Sequence, residues 1–169
     1  LLTMRLDPNS WFRLTTATTM TSQLSMVGTF PYMDGNKGPV SFATADNDAP
    51  VQNWHLYPVG ASYVLRTRAS GPEGYLGIIP TLNVNGTVKQ IKPWILNLTE
   101  TDAAMLWKLR AWDDGTFSLS NSACGHNCYL DFTGTESISI STNVTQPQPG
   151  QVFSLVQLGK INDPAFSTV

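Results

Sequence analysis

Charge is scarce in this chain: Asp, Glu, Lys and Arg supply 13% of its 169 residues, about half the usual share. The net charge of -2 offers no counter-charge for a run of phosphates, which argues against a nucleic-acid partner. No basic amphipathic stretch suggests attachment to a membrane surface, and no apolar run is long enough to span one. Helical periodicity is almost missing; only residues 100–110 could be drawn as an amphipathic helix. Histidine occurs twice and cysteine twice. Neither a Gly-x-Ser-x-Gly elbow, a His-Glu-x-x-His pair nor a phosphate-cradling glycine loop is found, and nothing points to two facing carboxylates. A binding protein is expected, without catalysis or cofactor.

What is present is Thr, Ser, Asn and Gly, as on many extracellular β-rich surfaces. Three glycosylation sequons begin at Asn85, Asn97 and Asn143. The opening Leu1-Leu2-Thr3-Met4 is too short for a signal peptide, so any such segment is expected to have been removed or to lie outside this sequence. The two cysteines stand in Cys124-Gly125-His126-Asn127-Cys128. Cys-x-His-x-Cys could suggest zinc, but the only other histidine is His55, and structural zinc takes four protein ligands. A disulfide between Cys124 and Cys128 is the expectation, closing a short loop worth about 2 kcal/mol in the chain-entropy account. Sequons, paired cysteines and low charge together favour a secreted or extracellular protein. Asp46-Asn47-Asp48 and Asp113-Asp114 have the composition of turns, not of a calcium loop.

The remainder alternates in short stretches between Gly, Pro, Asn and Asp clusters, as strands do. These stretches repeat. Phe12-Arg13-Leu14 resembles Tyr63-Val64-Leu65 and Phe117-Ser118-Leu119, the aromatics being 51 and 54 residues apart. A second strand centres on Leu24, Leu76 and Leu130. A third runs through Val40–Phe42, Trp94–Leu96 and Ile138–Ile140. A fourth carries Trp54, Trp107 and Phe153, spaced by 53 and 46 residues. Four strands repeated three times make twelve, in units of about 11–58, 59–112 and 113–158, with 159–169 a peripheral tail to one domain. The last strand should pair with the first near Trp11–Leu14 and close a barrel, which removes exposed edges.

A threefold all-β chain with Gln-x-aromatic-x-Leu closing its units, as in Gln52-Asn53-Trp54-His55-Leu56 and Gln151-Val152-Phe153-Ser154-Leu155, resembles the ricin B-type lectin β-trefoil family. The openings Trp11-Phe12-Arg13-Leu14-Thr15-Thr16 and Tyr63-Val64-Leu65-Arg66-Thr67 resemble its secreted fungal members. The resemblance implies a β-trefoil that binds glycans in shallow pockets, one per unit. Each pocket would hold an Asp after the second strand, an aromatic from the third, and an Asn-Gln pair before the last aromatic. Unit three keeps Asp131 and Gln151 but has Gly150 for the Asn; Tyr129 and Asn143 join its candidate set. Unit one keeps Gln52 and has Phe42, with Ser25 and Val51 at the Asp and Asn positions. Unit two has Trp94, with Gly77 and Met105 where polar groups belong. Unit three is therefore the expected glycan site.

Trp54, Trp107 and Phe153 should be core, whereas Trp11, Trp94 and Trp112 are the better candidates for exposed platforms. Gln151 could support the fold and not read a ligand, since Gln52 holds the matching place. His55, next to Trp54, should face the other way, into solvent. Two further readings stay open: a β-trefoil whose loops bind a protein, such as a protease inhibitor, and an accessory domain of a longer secreted or surface-anchored chain.

Overall fold

The computed structural model describes residues 6–17, 23–29, 37–97, 102–112, 114–125, 127–132, 134, 138–142 and 148–169, without the side chains of residues 80–82 and 88–89. Unit one contributes β1 (Ser10–Thr16), β2 (Leu24–Gly28), a two-residue β3 (Lys37–Gly38), β4 (Val40–Thr44) and β5 (Trp54–Val59). Unit two contributes β6 (Ser62–Thr67), β7 (Tyr75–Leu82), β8 (Val88–Leu96) and β9 (Trp107–Ala111). Unit three contributes β10 (Phe117–Asn121), β11 (Tyr129–Phe132), β12 (Ile138–Ser141) and β13 (Phe153–Lys160). Without the short β3 these are the twelve expected strands.

Six strands close a ring in the order β1, β5, β6, β9, β10, β13 and back to β1, each pair antiparallel. The opening aromatic of every unit faces the closing aromatic of the same unit: Phe12 opposite Trp54, Tyr63 opposite Trp107, Phe117 opposite Phe153. Six of the remaining strands form three hairpins, β2–β4, β7–β8 and β11–β12, and the short β3 pairs with β8. This threefold barrel with its hairpin triplet is a β-trefoil. Trp54, Trp107 and Phe153 are fully buried at its centre. The two indoles also bind alike: Trp54 Nε1 donates to the Met26 carbonyl at 2.9 Å and Trp107 Nε1 to the Leu76 carbonyl at 2.8 Å. A buried indole N–H needs such an acceptor.

That shared bond corrects the alignment of unit one. Met26, not Leu24, is the counterpart of Leu76 and Leu130, and all three are fully buried. Leu24 is only half-buried. The slip of two residues keeps the same face inward, so alternation alone could not detect it.

Residues 102–110 do not make an amphipathic helix. Ala103–Met105 is a single 3-10 turn, with Asp102 accepting from the Ala104 N–H, and β9 follows. Matching turns precede the last strand of the other units at Pro50–Gln52 and Pro149–Gln151. Among the described residues no helix is long and apolar enough to cross a membrane. The unit joints are tight turns at Gly60 and Gly115, with φ of 61° and 85°, where a Cβ would be strained. Cys124 and Cys128 are disulfide-bonded between β10 and β11.

The segment 159–169 is mostly exposed, yet it is tied to the barrel. Gly159 and Lys160 complete β13, the Ile161 N–H donates to the Asn9 carbonyl, and Phe166 is buried. Lys160 also pairs with Asp7. The acquired cover changes the fate of two residues read as exposed. Trp11 is only 6% exposed, with Phe166 set edge-on to its ring at 5.0 Å. His55 is fully buried: its side chain does point away from Trp54, but into the space that the tail roofs over.

Candidate functional site

In unit three, β11 alternates: Leu130 and Phe132 enter the core while Tyr129 and Asp131 share the outer face. Pairing with β12 sets Ser141 beside Tyr129 and Ser139 beside Asp131, all four half-buried. Gln151 Nε2 donates to Asp131 Oδ2 at 3.2 Å, which fixes the carboxylate on that face. The structure thus brings Tyr129, Asp131 and Gln151 together. Asn143 lies outside the described residues, as does His126.

The glycine where the resemblance calls for asparagine has a physical reason. A Cβ on Gly150 would lie 2.0 Å from the Phe132 carbonyl oxygen and 2.4 Å from Asp131 Oδ1. The backbone of β11 and the braced carboxylate occupy the space. Gly150→Asn, which restores the expected pair in sequence, is therefore expected to destabilise the domain by about 2 kcal/mol through overpacking. Urea unfolding of the two proteins would measure it; a variant of unchanged midpoint would contradict the close approach.

The other two units lack the matching set of polar groups. With the register corrected, the acid position of unit one falls on buried Val27. Ser25 is fully buried and accepts from Arg13 Nη1 at 2.9 Å. Phe42 is a core residue, its ring 4.0 Å from that of Phe132, and is no platform. Gln52 serves the fold: its side chain accepts from the Asp46 N–H and donates to the Thr44 carbonyl. In unit two, Gly77 sits opposite Trp94, and its Cβ would meet Leu96 at 2.7 Å and the Ala104 carbonyl at 3.1 Å. Trp94 is half-buried, with Lys37 Nζ 4.5 Å from its ring centroid. Trp112 is half-buried beside Arg110.

Asn85 stands exposed at the tip of the β7–β8 hairpin, its side-chain Oδ1 accepting from the Thr87 N–H and hydroxyl. Asn97 is exposed just past β8. Asp46 accepts from the Asp48 N–H, so that acidic stretch is a turn; Asp113 lies outside the described residues. Among the described residues no group of three His, Cys, Asp or Glu side chains could hold a metal.

Sequence reasoning missed two features at the seam of the barrel. The first is a buried cluster on β5 and β6, where His55 faces Arg66 across the hairpin. Arg66 is 1% exposed. It donates to the carbonyls of Pro72 at 2.9 Å and Thr168 at 2.8 Å, and lies 3.1 Å from His55 Nδ1. His55 Nε2 lies 2.7 Å from the Pro8 carbonyl, so it must carry the proton and Nδ1 must accept from Arg66. Burial, and then the Arg66 charge, push the His55 pKa down to about 4, against the pull of the Pro8 carbonyl. Burial also lowers the Arg66 pKa, opposed chiefly by Tyr75. The signal was available in principle: the Gly60-Ala61 turn places residues 55 and 66 opposite one another.

The second is a cleft of about 540 Å³ over the β1–β13 seam, walled by the β4–β5 loop, the residues after β6 and the tail. Trp11, Asn47, Asp48, Asn53, Arg68 and Asp163 are among its lining. The loop is held from below: Asn47 accepts from Arg13 Nε, and Asn53 Nδ2 donates to the Asn47 carbonyl.

No family model matches the chain, and no curated protein matches it. Solved structures do. A salivary protein of the cysteine and tryptophan-rich family from the mosquito Culex quinquefasciatus superposes with a TM-score of 0.68 at 13% identity, over 92% of this chain and 99% of its own. The designed threefold-symmetric protein ThreeFoil gives 0.64 at 17% identity, over 88% and 99%. SeviL, solved bound to the asialo-GM1 saccharide, gives 0.56 at 13% identity, over 87% and 96%. These likenesses establish the β-trefoil fold.

Proposed function

We propose that this chain is an extracellular, carbohydrate-binding β-trefoil of the ricin B type, similar to secreted fungal members, that carries out no reaction of its own. Its working pocket is the outer face of β11 and β12. The observation that carries this reading is the half-buried Asp131 carboxylate, braced by Gln151 and set beside Tyr129. A fixed carboxylate accepts two sugar hydroxyls, and a ring nearby covers the apolar C–H face. Units one and two carry Val27 and Gly77 at the matching acid position, so one site is expected, not three.

Two further facts support the reading. SeviL, a β-trefoil of similar size, is held with a saccharide, and the Culex neighbours are salivary proteins. The disulfide and the exposed sequon Asn85 fit a chain that passes through an oxidising secretory route.

Asp131→Ala tests it. Loss of a charge-assisted hydrogen bond to the ligand costs roughly 1.5–3 kcal/mol, so glycan-array binding should weaken about tenfold or more. Full retention of signal in that variant would remove unit three as the site. Capture of a secreted protease by the parent protein, with no sugar bound, would favour the protein-binding alternative instead.

A further inference from the structure

The seam cleft is distinct from all three repeat pockets, since none of Val27, Gly77, Asp131 or Gln151 lines it. Its volume of about 540 Å³ falls in the small-molecule range of roughly 300–1,000 Å³. The Asp48 carboxylate and the Arg68 guanidinium are exposed and lack a side-chain partner among the described residues. Their backbones are nonetheless held, Asp48 by the Asp46 side chain and Arg68 by the Asn53 carbonyl. Asp163 caps the tail turn through one oxygen. Trp11 and Phe166, packed edge to face and each only 6% exposed, form the apolar floor of the same cleft.

We propose that this cleft is a second carbohydrate site, taking the neutral terminal sugar of a glycan. The chemistry follows from the lining. A carboxylate accepts from hydroxyls and a guanidinium donates to them, so the two groups suit a ligand rich in hydroxyls. Charge argues against an ionic ligand: Asp48 and Asp163 oppose Arg68, and Lys160 is engaged by Asp7. An anion would gain one cation and meet two carboxylates. A neutral ligand rich in hydroxyls suffers neither penalty.

The site stands on its own geometry, so it and the unit-three face can fail separately. The test is a titration of ¹⁵N-labelled protein with methyl galactoside, methyl N-acetylglucosaminide and glucuronic acid, followed by NMR. One neutral glycoside should shift the Trp11 indole and Arg68 signals in the parent and equally in Asp131→Ala. In Asp48→Ala and in Arg68→Gln, both exposed positions, its affinity should fall about tenfold or more. The proposal is overturned if the neutral glycosides move only Tyr129 and Asp131, if glucuronic acid alone moves Trp11, or if no probe moves Trp11 at all.

Discussion

Arg66→Leu should lower the stability of the domain by about 3 kcal/mol, although leucine fits a buried strand position and removes a buried charge. Two effects compete here. Burying a guanidinium with no carboxylate beside it is costly, and replacing buried ions by apolar groups is often neutral. That neutrality requires both partners to be replaced. Arg66 binds the backbone carbonyls of Pro72 and Thr168 and the ring nitrogen of His55. A substitution at Arg66 leaves these acceptors in place, and each buried acceptor left unsatisfied costs roughly 1–3 kcal/mol. The cation is also stabilised by the faces of Phe166, Tyr75 and Tyr57, with centroids 5.4, 5.5 and 5.8 Å from Cζ. The stranded acceptors dominate, because His55 Nδ1 stays buried even if the tail lets go and frees the Thr168 carbonyl to water.

The outcome to measure is therefore double. Urea unfolding should give the loss of about 3 kcal/mol, and the Phe166 and Ser167 amides, which are bonded to Asp163 and Pro164, should exchange faster than in the parent. Arg66→Lys should recover less than half of the loss, because an ammonium cannot serve acceptors on opposite sides as the planar fork does. A leucine variant as stable as the parent, with the tail amides still protected, would show that the apolar contacts of Phe166 hold the segment alone. Since Phe166 and Asp163 wall the seam cleft, loosening the tail should also open that cleft.

The barrel could be read in the sequence because it depends on features that recur. The aromatic that opens a unit pairs with the one that closes it, so both landmarks had to stay in step through three copies. Where the repeat has degenerated, the reading failed by a predictable amount: Leu24 was two residues out of register with Leu76, a shift that leaves the inward face unchanged. The misplacements of Trp11 and His55 share another cause. Strand alternation puts Arg66 and His55 outward correctly, but it cannot say whether the outward face meets water. A segment after the last strand decides that, and Phe166 carries no periodic signal. The site was partly legible for a similar reason. Asp131 and Gln151 were recognisable one by one, yet the closeness of Gly150 to the Phe132 carbonyl is a backbone fact that residue types do not encode.

Stability should rise with pH between about 4 and 6.5, and His55 should carry that slope. Its folded pKa is about 4 against an ordinary 6.5, so in this window the unfolded chain binds a proton that the folded one refuses. The unfolded state therefore gains as pH falls, and the contribution is complete above 6.5, declines on acidification and is gone below about 4. A shift of that size corresponds to at most about 3 kcal/mol. The structural reason is the shared hydrogen of the cluster: protonated Nδ1 can no longer accept from Arg66, and two cations would face each other under the tail. Asp7, held near a pKa of about 2 by Lys160, Asn9 and Ser10, loses its contribution only below its ordinary value of 3.8, so the two windows separate. Unfolding midpoints of the parent across this range should fall on acidification, while His55→Gln should be nearly flat. A slope that survives in His55→Gln would assign the acid sensitivity to another group and leave His55 a purely structural bridge between Pro8 and Arg66.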